Sequence, residues 1–363
     1  MYISKYLKSS LIITHIIATF IIYNYVMQHK GDAYLYWGQS FDISKYTWFH
    51  FFKPGSALLL LINYPFINLH VPLWFGFFMY SSFGLLGIFI FRKWALEIVQ
   101  VQQQSVEYVV LHCILLFPNL HVWTSLLGKE PIIFTSISTI AYSVLQIRKR
   151  WMLTLIASTI IILLRPHLAL MLILAIVFYI LVSNKTLFIK KIVLILPMSI
   201  LALIILYFLT IVMNLKTYSI SKILYYNSIS IHNFKTIGGS FVPMNKYNYF
   251  YKWFSLNFRP LFYDATSFYQ ILVSFENMII LLLFILTIGL FIKHYRKINI
   301  VYWHQIILYF SIFSTIIYSE RYANLGIFIR TKIQYIPFLV VVCLSILFQL
   351  KSKQRFTNET KIN

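Results

Sequence analysis

Phe117-Pro118-Asn119-Leu120-His121-Val122-Trp123-Thr124-Ser125-Leu126-Leu127-Gly128-Lys129-Glu130-Pro131 lies between two long apolar runs, and its reading decides the fold. The flanking runs have the length of membrane spans, and the second opens on Lys129 and Glu130. An ionisable side chain inside lipid costs roughly 2.5–3.5 kcal/mol on insertion scales, so such residues face a bundle interior or a wet cavity. A helix start also offers free N–H groups and the positive end of a dipole, which suits an anionic ligand. The stretch therefore predicts a span entry beside a cavity that takes an anionic, phosphate-bearing substrate.

Working outward, the whole chain has the same character. Of its 363 residues, 60% are hydrophobic and 11% charged, and the mean hydropathy is +0.77. A soluble chain carries about a quarter charged residues. The composition predicts an all-α, polytopic transmembrane helix bundle, since the apolar runs are too long for barrel strands. A net charge of +22 would suggest nucleic acid in a soluble protein. Here the basic residues recur between apolar runs, as loop charges against anionic lipid do, so membrane lipid is the expected partner and nucleic acid is not. Cys113 and Cys343 both fall inside apolar runs, without metal-ligand spacing, and read as buried structural thiols. Lys5 and Lys8 precede the first apolar run, and no small-residue cleavage site follows it, so this run reads as a retained span.

Runs of span length predict about ten spans, near 8–27, 72–91, 104–120, 131–147, 152–165, 167–183, 192–213, 277–293, 301–319 and 334–350. The run 56–70 is short and interrupted by Pro65, and reads as re-entrant or interfacial; were it a span, every later orientation would invert. With both termini cytoplasmic, the larger share of the 31 basic residues falls in short inner segments, as the positive-inside rule asks. Among the nine carboxylates, Asp32, Asp42, Glu130, Asp264, Glu276 and Glu320 then fall on the outer side or at outer span ends. The chain is read as a single integral-membrane domain, residues 1–363, with long outer loops at 28–71 and 214–276 that carry interfacial helices. Both loops are rich in aromatic residues, which favour the membrane interface and also stack on sugar rings.

The chemistry-bearing residues gather on that outer side. Asp32, just after the first span, reads either as a solvated loop carboxylate beside Lys30 or as a general base whose basicity is raised near lipid. Lys129 and Glu130 read as a packing ion pair, or as groups that meet a phosphate and orient a sugar hydroxyl. Arg165-Pro166-His167 breaks an apolar run with a tight turn. Its Arg either snorkels to headgroups or makes bidentate phosphate contacts in a direction fixed by the proline. The segment 319–332 brings Arg321, Arg330 and Lys332 to the start of the last span, with Arg330 four residues before Gln334 and on its face in a continuous helix. It reads as an anionic-lipid surface or as a pyrophosphate clamp. No P-loop, Rossmann loop, zinc helix or nucleophile elbow is present in the sequence.

The order of these features resembles a known class. An Asp in the first outer loop, the Pro118…Trp123-Thr124-Ser125…Lys129-Glu130 entry and Arg165-Pro166-His167 resemble the integral-membrane glycosyltransferases of the GT-C class and related polysaccharide-cluster membrane proteins. Phe258-Arg259-Pro260 and Asn324-Leu325-Gly326…Arg330 resemble later segments of the latter. The resemblance covers most of the chain through short motifs. It implies sugar transfer to a glycan acceptor from a polyprenyl-phosphate-linked donor, on the outer face of a bacterial cytoplasmic membrane. By the same resemblance Asp32 is the catalytic base and Glu130 a second acidic site residue. Arg165, Arg330 and Lys129 would then neutralise the leaving phosphate; His167, Arg259 and Arg321 are further candidate substrate-binding residues. Two departures stand out: many of these enzymes have more spans, and some carry a paired acidic motif that Asp32 and Asp42 are too far apart to form. No cofactor is expected, and a divalent metal is not indicated. An O-antigen-type repeat-unit polymerase, acting on lipid-linked oligosaccharides, is the alternative, and a lipid-linked glycan transporter or flippase the second.

Overall fold

The computed structural model describes residues 2–39, 42–102, 105–184, 187–212, 220–237 and 239–362. Among them the fold is entirely helical, with no strand and a single isolated bridge between Phe241 and Asn324. In chain order the helices are α1 (Tyr2–His29), α2 (Asp32–Tyr36), α3 (Ala57–Asn68), α4 (Leu73–Val99), α5 (Val106–Leu115), α6 (Pro118–Ser125), α7 (Lys129–Val144) and α8 (Ile147–Leu164). They continue as α9 (Pro166–Val182), α10 (Phe188–Val212), α11 (Ile220–Ile237), α12 (Tyr249–Phe258), α13 (Phe268–His294), α14 (Tyr302–Arg321), α15 (Leu325–Lys332) and α16 (Ile336–Ile362).

Among the described residues four segments are long and apolar enough to cross a membrane: Tyr6–His29, Leu73–Val99, Phe188–Tyr207 and Phe268–Lys297. Two bent pairs, α5 with α6 at 44° and α15 with α16 at 56°, raise the number to six if each is one broken span. The runs expected at 131–147, 152–165, 167–183 and 301–319 are helical too, but fall short in length or apolarity. α8, for instance, opens on Arg148, Lys149 and Arg150. α3 has 12 residues, about 18 Å at about 1.5 Å per residue, against an apolar core of about 30 Å. The expected loop 28–71 holds α2, α3 and two single-turn 3-10 helices, Ile43–Lys45 and Trp48–Phe51. Residues 214–219 and 238 of the other long loop lie outside the described residues; the rest contains α11, α12 and the first turns of α13.

The chain forms two compact units. The first comprises Met1–Glu97, Gln102–Leu170 and Ile205–Asn214. Its tightest crossings run along one face of α4. A Cβ on Gly76 would lie 2.6 Å from the Trp37 ring, one on Gly84 1.8 Å from the Thr124 carbonyl oxygen, and one on Gly87 2.4 Å from Thr135 Oγ1. Small residues at helix crossings let backbones approach where lipid offers no hydrophobic drive to associate. The Thr135 hydroxyl uses that approach to donate to the Phe83 carbonyl at 2.7 Å. α5 buries Tyr108, Leu111, His112 and Leu115, a helical stripe, and turns Cys113 outward. Cys113 is therefore exposed, not the buried thiol expected, whereas Cys343 is buried.

The second unit comprises Ile98–Val101, Met171–Ile204 and Leu215–Asn363. Here α12, α13, α14 and α16 pack together, and α15 lies against α12. Three helix starts are capped by side chains: Asn248, Ser267 and Asn324 accept from the N–H groups of Tyr251, Gln270 and Ile327. The Ser267 cap starts α13 nine residues before the span expected at 277. The bend after Lys332 also separates Arg330 from Gln334, so the two do not share one continuous helix face as expected.

Candidate functional site

In the first unit α7 and α8 form an antiparallel hairpin turning at Leu145 and Gln146, which brings the start of α7 to the end of α8. Pro166 ends α8: a residue before proline is driven out of the helical region, and Arg165 sits at φ −144°, ψ 75°. Proline in turn suits the first position of the next helix, so α9 begins at once. Held in this turn, the Arg165 guanidinium donates through Nη2 to Glu130 Oε1, and both side chains are buried. Arg165 Nη1 is also buried and has no hydrogen-bond partner. Lys129 and His167, on either side of the pair in sequence, are partly buried. Two residues expected to contact substrate thus contact each other.

Asp32 opens α2 and is exposed, not enclosed by other residues of the chain. Lys30 and Gly31, with φ of 60° and 83°, make the turn that leads into it from α1. The nearby cavity, of about 340 Å³, does not include Asp32 in its wall. Trp37, Gln39, Asp42, Asn68 and His70 line it instead, a mixture of ring face and hydrogen-bonding groups suited to a sugar. Asp42 is half exposed and lies 3.9 Å from Lys45. Asp42 was legible only as one of the outer carboxylates.

In the second unit the cations converge about α12 and α15. Arg259 grips Asp264 through two hydrogen bonds, Nε to Oδ2 at 2.9 Å and Nη2 to Oδ1 at 2.6 Å. Burial works against the charge on Asp264. The bonds from Arg259, with one from the Leu261 N–H at 3.1 Å, outweigh it and hold the carboxyl below the usual Asp range. Lys252 donates to Glu320 at 2.6 Å. Lys332 is fully buried and donates to Asn277 Oδ1 and, at 3.4 Å, to the Arg259 carbonyl. Arg321 and Arg330 are partly buried in the same region. Among the described residues no group of three His, Cys, Asp or Glu is placed to hold a metal ion.

Beside this cluster runs a groove of about 370 Å³ between α13, α14 and α16, open along one side. Phe258, Phe284, Ile288, Leu308 and Leu339 supply apolar wall, and Asn257, Thr315 and His304 are among its few polar groups. It follows α14 from His304 to Thr315, about 16 Å at about 1.5 Å per residue. Its upper wall is braced by Asn257, whose side-chain oxygen accepts from Tyr335 at 2.9 Å and whose nitrogen donates to the Trp253 carbonyl at 2.8 Å. Phe258 and Ile336 line the groove; Phe258 is next in chain to Arg259, and Ile336 opens α16 just after the bend that follows Lys332.

Comparison with family models, curated proteins and solved structures finds no match to this chain. What the groove can do follows from its own chemistry: a long apolar slot with few polar groups suits an apolar chain.

The Arg259–Asp264 clamp yields a direct expectation. Asp264→Asn should lower stability by about 1.5–3 kcal/mol, the range for hydrogen bonds to charged groups. Because the folded carboxyl titrates below its ordinary value of 3.8, this contribution is complete above that value. It is lost as pH falls through the lower, folded one. Thermal unfolding of detergent-solubilised protein against pH should show an acid decline that flattens in Asp264→Asn; an unchanged acid limb would remove the clamp from the stability of this unit.

Proposed function

We propose that the protein is a membrane glycosyltransferase that takes a polyprenyl-phosphate-linked sugar on the outer face of a bacterial cytoplasmic membrane, in cell-surface polysaccharide assembly. The observation that carries this reading is the apolar groove between α13, α14 and α16, whose wall includes Phe258, the neighbour in chain of Arg259. An isoprenoid chain needs an apolar slot, and a departing phosphate needs fixed cations where its charge develops. The ten-span topology, with both termini cytoplasmic, belongs to the same reading.

In the reaction, a carboxylate takes the proton of an acceptor hydroxyl. The acceptor oxygen attacks the anomeric carbon, the bond from that carbon to the phosphate oxygen breaks, and polyprenyl phosphate leaves. Asp32 is accessible for the base role, and Asp42 lines the polar cavity beside it. Arg165, through its unpaired Nη1, is a further donor for an anionic group, and Glu130 holds it in place.

The test is formation of a glycosidic bond by the purified, reconstituted protein from polyprenyl-phosphate-linked sugars. Removing a general base lowers turnover by about 10²- to 10⁴-fold, and that loss is expected in Asp42→Asn or Asp32→Asn. Full activity in both would sink the base assignment. A protein that binds such lipids yet forms no bond with any acceptor would overturn the transferase reading.

A further inference from the structure

Two histidines of the first unit, unused in the reaction above, lie ring to ring in its interior. His15 of α1 and His121 of α6 are both buried, and their Nδ1 atoms are 3.3 Å apart. Each ring's other nitrogen faces a backbone carbonyl: His15 Nε2 is 2.9 Å from the Ser81 oxygen, and His121 Nε2 is 3.0 Å from the Leu115 oxygen. A carbonyl only accepts, so both Nε2 atoms must carry hydrogen. The Nδ1–Nδ1 contact then needs a proton of its own, and it is too short to admit a water. Two neutral imidazoles supply one proton fewer than these three contacts require. Any neutral arrangement leaves one contact with two lone pairs facing each other.

No neighbouring hydroxyl makes up the shortfall. Ser125 Oγ lies 3.4 Å from His15 Nδ1, but its hydrogen goes to the His121 carbonyl at 2.7 Å. Thr124 donates to the Leu120 carbonyl at 2.6 Å, and Thr19 donates to the His15 carbonyl at 2.8 Å while sharing a bond with Ser81 Oγ. We propose that His15 and His121 form a proton-binding site that holds one extra proton between their Nδ1 atoms, tying α1 to α6.

The surrounding charges are few. α1 brings Lys8, about 10 Å along the helix from His15. α4 brings Arg92, which donates to His112 of α5 at 2.8 Å and to the Tyr108 hydroxyl at 2.7 Å, with Lys93 and Glu97 beyond it. α5 also carries Glu107, and α7 carries Lys129 and Glu130, the latter tied to Arg165. Burial opposes the added charge. Spreading it over two rings in three charge-assisted hydrogen bonds favours it.

The experiment is nitrogen NMR of the full-length protein, labelled with ¹⁵N-histidine, in lipid bilayers across a pH titration. The expected result is uptake of one proton by the pair. Both Nδ1 resonances should move in a single step to a shared-proton position, with a scalar coupling between them. His15→Asn and His121→Asn should each abolish that step. Because the coupling identifies the pair in the unsubstituted protein, the result does not depend on either variant folding. Two separate single-ring titrations, or rings that stay neutral throughout the pH range in which the protein remains folded, would overturn the proposal.

Discussion

Replacing Arg165 by Met should lower the stability of the protein by about 3–5 kcal/mol, because it leaves the buried Glu130 carboxylate without its cation. Glu130→Met alone should cost a similar amount by stranding the guanidinium. The double substitution is the informative case. Replacing both members of a buried pair by apolar side chains of similar volume is often neutral or stabilising by about 1–4 kcal/mol, so most of the loss should be recovered. Thermal unfolding of the purified single and double variants completes the cycle, and near-additive losses would show that the two side chains do not act as a pair. The same variants separate packing from chemistry. If Arg165 also meets a substrate phosphate, the double variant regains its melting temperature but not its transferase activity. Recovery of both would make the pair purely structural.

The second large effect is expected at Gly84. A Cβ there would lie 1.8 Å from a main-chain oxygen of α6, and a backbone cannot swing aside as a side chain can. Gly84→Ala should therefore fall at the upper end of the overpacking range, about 3 kcal/mol. Gly289, with open space where its Cβ would go, is the control: Gly289→Ala should be neutral or slightly stabilising, as expected for alanine over glycine within a helix. Equal melting temperatures for the two variants would contradict the close crossing of α4 and α6.

Local features were the legible ones. The turn at Arg165-Pro166 follows from proline's fixed φ and its effect on the preceding residue, and both act within two positions. The partner of Arg165 was not legible. Glu130 lies 35 residues earlier, and only the hairpin of α7 on α8 brings the two together. A cation and a carboxylate read separately as site residues thus turn out to neutralise each other, as do Arg259 and Asp264. Apolar runs marked where helices form but not where they begin, because a cap such as Ser267 is a polar residue outside the run. Which side of a helix is covered was also hidden, as Cys113 shows. Asp32 and Asp42 carry the same group in the same loop, and only the folded position of Trp37 and Asn68 puts a cavity beside one of them.

The 44° bend between α5 and α6 bears on how the protein is built into a bilayer. α5 has 10 residues and α6 has 8, so neither reaches across about 30 Å of hydrocarbon. Its broken backbone can rest at that depth only when protein surrounds it. α1 and α4 precede the pair in the chain and are each long and apolar enough to cross a membrane. They form the receptacle into which the broken pair settles, with the buried faces of Thr124, Ser125 and Gly128 closed off only on docking. This order predicts that a chain that loses the α1–α6 contact stalls with its middle helices accessible to membrane proteases, which limited proteolysis of newly inserted chains would show.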